Sequence, residues 1–161
     1  MTPAPRFFDY RSDFQAAIRD VLATAQLELL LFDPDYDDWA INSPDVPPLI
    51  ETFLNHSVRA KLRMVIRDPE QINRAYPRIA NLLRLHSNKV ECRGLPEQYA
   101  RLSETMIIAD ATHALRRPVA TGFKGVLRLL DPDYAGGQRD RFEELWSACH
   151  DRFSSTSLGL G

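Results

Sequence analysis

Residues 102–115 read LSETMIIADATHAL, and the choice of fold turns on them. Met106–Ala109 is an uninterrupted apolar run, the composition of a strand covered on both faces. Asp110 stops the run, and Thr112–Arg116 then reads as a hairpin partner strand that carries His113.

Upstream, apolar runs alternate with helical periodicity. Phe14, Ala17, Ile18, Val21 and Leu22 predict an amphipathic helix over 13–25, with Ser12 as its N-cap. Residues 26–32, QLELLLF, predict a buried strand that ends at Asp33-Pro34, because proline cannot donate to the ladder. Ser43, the prolines at 44, 47 and 48 and the apolar Leu49, Ile50, Phe53 and Leu54 predict a second helix closed by His56-Ser57. Strand 61–67 follows, with Lys61, Arg63 and Val65 on one face and Leu62, Met64 and Ile66 on the other. Helix 70–86 contains Pro77, which predicts a break near Ala75. Residues 89–93 read as a short strand.

Downstream, Val126–Leu130 is a further strand candidate, and the Leu130–Tyr134 string suggests a strand ending in a turn like that at Asp33-Pro34. Gly136-Gly137 reads as a break. Phe142, Leu145, Trp146, Cys149 and Phe153 then mark a final amphipathic helix. The order is that of an α/β domain, a mixed β-sheet flanked by helices, since the later strands have short connections. At 161 residues, 44% hydrophobic and 26% charged, the chain suits one soluble domain over 10–153. Residues 1–9 read as an N-terminal extension and 154–161, SSTSLGLG, as a flexible tail.

No apolar run reaches the roughly 18–20 residues that span a bilayer, and the first residues lack the pattern of a secretory signal. Cys92 and Cys149 have no metal or disulfide spacing and read as buried thiols of a cytoplasmic protein. The acids Asp33, Asp35, Asp37 and Asp38 have the oxygen chemistry of a cation site, but no glycine or distal glutamate completes a calcium loop. They read as a solvated connection, and neither metal nor cofactor is expected. Phosphate-loop, dinucleotide, nucleophile-elbow and zinc-helix motifs are absent from the sequence.

Net charge is −2, but it is unevenly placed. Residues 1–56 hold three Arg/Lys against ten Asp/Glu, a balance of −7; residues 57–101 hold ten against four, a balance of +6. Internal ion pairing, self-association and an anionic ligand all suit such a division. For a ligand, the candidate residues are Arg63, Arg67, Arg78, Arg116 and Arg117.

Ser103, Thr105 and Asp110 stand at the spacing HxKxxxxD, and the element order resembles one half of the phospholipase D-like fold. It also resembles uncharacterised bacterial domains found alone or joined to acetyltransferases. In active members, the resemblance implies, two halves pair so that one His attacks phosphorus, a second protonates the leaving group and Lys holds the phosphate. Here serine and threonine replace His and Lys. Asp110, whose implied role is to orient the His, has no imidazole at the matching position. The Gly-Ser/x-Asn element is replaced by Arg117-Pro118-Val119-Ala120.

The expectation is therefore a degenerate half without catalysis, with Ser103, Thr105 and Asp110 as remnant positions. It is read as a binding or interaction module that forms a homodimer, with an acetyltransferase or another protein as a further partner. The alternatives are an altered phosphodiesterase or nuclease using Ser103, His113 and Asp110, and nucleic-acid binding through the basic 57–101 region. The second is less favoured, because only Tyr76 and Tyr99 offer stacking surfaces there.

Overall fold

A computed structural model describes residues 2–149 and 151–152. Its eight strands are β1 (Arg6–Phe8), β2 (Glu28–Phe32), β3 (Lys61–Ile66), β4 (Val90–Gly94), β5 (Thr105–Ala109), β6 (His113–Arg117), β7 (Gly125–Arg128) and β8 (Asp151–Arg152). They form one mixed sheet in the order β1-β7-β6-β5-β2-β3-β4-β8. Helices α1 (Arg11–Thr24), α2 (Val46–His56), α3 (Glu70–Ala75) and α4 (Pro77–Leu85) pack on one face, and α5 (Pro132–Ala148) on the other.

The parallel trio β2-β3-β4 is built by helical crossovers, while β5, β6 and β7 form an antiparallel meander that starts beside β2. Burial follows from this order. Central β5 is buried at every residue, as its all-apolar middle requires. Strand β3 alternates as expected: Leu62, Met64 and Ile66 join the core under α1–α4, and Val65 joins the smaller core under α5. The long helix expected over 70–86 breaks at Tyr76, one residue before Pro77.

Four local expectations are corrected. Residues 6–8, read as part of an extension, form edge strand β1 paired with β7. Helix α1 starts at Arg11 after an extended Tyr10, so Ser12 lies in its first turn rather than capping it. Similarly, α2 starts at Val46 after Asp45, and Ser43 Oγ accepts the Asp45 amide in the preceding turn. The Leu130–Tyr134 string is a helix start: Asp131 accepts the Tyr134 amide, Pro132 sits in the first turn, and α5 runs through Gly136-Gly137. A cap and a buried apolar face thus outweigh two glycines. Phe153, His150 and the 154–161 tail lie outside the described residues.

Candidate functional site

The sheet has two ends with different chemistry. At the end where β2 and β3 finish, Asp33 follows β2, Thr105 opens β5 and Arg117 closes β6. These three strands are neighbours, and the register places Thr105 opposite Arg117. All three side chains are inside: Asp33 and Thr105 are 0% exposed and Arg117 is 1% exposed.

Thr105 Oγ1 donates to Asp33 Oδ2 at 2.5 Å and accepts from Arg117 Nε at 3.0 Å. Arg117 Nη2 donates to the same Asp33 oxygen at 3.1 Å. Its Nη1 donates to Asp38 Oδ2 at 2.9 Å and to the Gly122 carbonyl at 3.2 Å. Trp39 Nε1 donates to Asp33 Oδ2 at 3.0 Å, and the Asp35 and Tyr36 amides donate to Oδ1 at 3.1 and 2.9 Å. The guanidinium lies 4.3 Å from the centre of the Phe14 ring. Every neighbour of the Asp33 carboxylate is a donor, which offsets the cost of burying its charge. Burial still pushes the carboxyl above its ordinary value, against the opposing pull of Thr105, the Tyr36 and Asp35 amides and Arg117.

This network corrects two readings. The 33–38 acids are not simply a solvated turn, because Asp33 is sealed beneath buried Tyr36 and Trp39. Arg117 is not placed for a ligand: its donors are spent on internal acceptors. Two sequence signals pointed here. Asp33 directly follows a strand whose last four residues are fully buried, and Arg117 shares the core-facing alternation of β6 with Leu115.

Asp110 stands at the opposite end of β5, roughly 17 Å along the strand from Thr105. Its left-handed backbone (φ 56°) belongs to the tight β5–β6 turn, in which Ala111 also has φ 52°. Its carboxylate accepts the amides of Gln26, Leu27 and Glu28 at 2.9, 2.8 and 2.9 Å, closing the α1–β2 turn. Asp110, which the sequence left with no imidazole to orient, caps a turn. His113, which opens β6, lies at this lower end too, and so do His56 at the end of α2 and His86 after α4. Among the described residues, none of these imidazoles shares the Ser103–Thr105 end.

The five candidate arginines do not converge. Arg63 lies on the α5 face, paired with Glu143 and 5.4 Å from the Trp146 ring centre. Arg116 is on that face three strands away, paired with Glu104 at 2.6 Å. Arg67 is exposed beyond β3 and donates from Nε to the Ala100 carbonyl at 2.9 Å. Arg78 sits on α4 beside a shallow groove lined by Pro44, Pro48 and Leu85, on the opposite side of the sheet from Arg63. Arg117 is buried.

A family model described as a domain of unknown function, DUF7931, matches residues 10–156. The chain belongs to that family. No curated protein matches it. Among solved structures, the chromatin protein TrmBL2 from an archaeon is similar at TM-score 0.68 and 15% identity, over 92% of this chain. The chain spans 54% of that protein's length. Nuc from Salmonella typhimurium, a phospholipase D family member, is similar at TM-score 0.66 and 12% identity, over 94% of this chain and 100% of Nuc. The phosphatidylserine synthase of Haemophilus influenzae is similar at TM-score 0.61 and 16% identity, over 96% of this chain and 40% of the synthase. This DUF7931 chain therefore has the fold of phospholipase D family members, as its element order led us to expect. No described helix is long and apolar enough to cross a membrane.

Proposed function

We propose that this DUF7931 domain is a non-catalytic member of the phospholipase D fold that works as a binding module and associates with a second copy of itself. The observation that carries the reading is the buried Asp33–Thr105–Arg117 network. Thr105, at the position where the resemblance places lysine, spends its hydrogen on Asp33 and presents nothing to a phosphate. Among the described residues no imidazole stands at the Ser103 end of the sheet, and His113 and Asp110 lie at the other end, so the Ser103–His113–Asp110 alternative lacks the required proximity. Nucleic-acid binding through residues 57–101 is weakened by the dispersal of the arginines. Arg63, Arg74 and Arg93 already have carboxylate partners.

Association is supported by edge strand β1, whose outer side pairs with no other described strand and lies next to the exposed Phe7 (72%) and Tyr10 (70%). An acetyltransferase or other protein partner stays a proposal of the same kind, a module docked by surface rather than by chemistry. Mass measured by light scattering over a hundredfold concentration range tests association. The expected result is a concentration-dependent dimer that Phe7→Glu converts to monomer. A strict monomer at every concentration contradicts it.

A further inference from the structure

At the lower end of the sheet an open cleft of 690 Å³ is lined by Gln26, Leu27, Glu28, Asp110, His113 and Arg139, among others. His113 forms part of its wall and also holds a loop. Its Nδ1 accepts the backbone amide of Leu130 at 3.0 Å. A backbone N–H can only donate, so the neutral ring carries its proton on Nε2. Leu130 is left-handed (φ 52°), a conformation that disfavours any side chain with a Cβ. Packing does not hold it there, since Leu130 is 54% exposed. The local restraints are the His113 bond and, one residue on, the Asp131 amide donating to the Thr112 carbonyl at 2.9 Å. Asp131 in turn caps α5.

We infer that His113 is a pH-operated latch: protonation at Nδ1 expels the Leu130 amide and frees the β7–α5 connection that this wall residue of the cleft holds. Protonation places one N–H against another, so the bond cannot survive it, and the strained Leu130 is then free to relax. The charged groups around the ring come from four elements. Asp110 in the β5–β6 turn favours the cation; Glu28 on β2 and Arg139 on α5 are engaged with each other at 2.8 Å; Asp131 is paired with Arg128 of β7 at 3.6 Å. Burial outweighs Asp110 and holds the imidazole below its ordinary 6.5. The sign follows. The unfolded chain takes up this proton first, so the bond's contribution to stability is complete above about pH 6.5 and is lost as pH falls below it.

Heteronuclear NMR on the full chain tests this, reading the His113 ring titration and the exchange protection of the Leu130 amide between pH 8 and pH 4.5. The expected result is a midpoint below 6.5. Leu130 protection, corrected for intrinsic exchange, then falls by up to about tenfold per pH unit between 6.5 and that midpoint, and is largely lost beneath it. His113→Asn, whose amide oxygen is an acceptor near the place of Nδ1 but takes up no proton, is expected to keep protection and lose its pH dependence. His113→Ala is expected to leave Leu130 unprotected at every pH. Leu130 protection that ignores the His113 titration in the wild-type protein overturns the latch, and so does an unchanged pH dependence in His113→Asn.

Discussion

Thr105 has no room for the lysine that the resemblance leads one to expect. Its hydroxyl is 0% exposed and bridges a carboxylate and a guanidinium, so an ammonium there would face Arg117 with no route to water. Thr105→Lys is expected to destabilise the fold by about 3–5 kcal/mol, the cost of an uncompensated buried charge. Thr105→Val, which only removes the bridge, is expected to cost about 1–3 kcal/mol. Urea unfolding measures both, and equal stability of Thr105→Lys and wild type would show that the site is open after all. Asp110 illustrates how the same motif was half legible. Its position after an apolar strand was plain, but three amides contributed by residues 26–28 lie some 80 positions away in sequence, beyond what local spacing reveals. Asp110→Ala is expected to lose about 1–3 kcal/mol by the same measurement, and Asp110→Asn less, because one oxygen still accepts.

Among the elements, strands β2, β3 and β5 and the α3–α4 break were legible because burial on both faces and a proline each leave a strong local mark. The start of α5 was not. Gly136-Gly137 reads as a break only when the helix has no other support, whereas Asp131, Pro132 and the buried Ala135 fix its first turns. A Cβ at Gly136 meets nothing within 4 Å. Gly136→Ala is therefore expected to stabilise the domain by roughly 0.5–1 kcal/mol, seen as a raised urea midpoint. The far half of α5 is moored by a ring of ion pairs: Arg139 to Glu28, Glu28 to Arg63, Arg63 to Glu143, and Glu143 back to Arg139. The Arg63 hydrogen bond holds the Glu143 carboxyl below its ordinary 4.5. Its contribution is thus present above about pH 4.5 and is lost as pH falls through the lower folded value. Arg63→Met is expected to flatten the stability–pH curve in that acid window.

Across the whole molecule, acids of the first third are met by arginines from both later parts of the chain. Glu28 is met by Arg63 and Arg139, and Asp33 and Asp38 by Arg117; of these three arginines only Arg63 comes from the basic 57–101 segment. Composition announced the imbalance, but only the sheet order β6-β5-β2-β3 says which charges meet. The same order supports the proposal that the remnant motif is inert. Its two ends lie at opposite edges of one strand, and the end that faces the parallel-strand termini is filled by a salt bridge.

The most direct test of that claim is a phosphodiester hydrolysis assay with bis(p-nitrophenyl) phosphate and with plasmid DNA, comparing the wild-type chain with Ser103→Ala. No turnover above buffer is expected in either protein. Hydrolysis by the wild-type chain that disappears in a folded Ser103→Ala variant would contradict it.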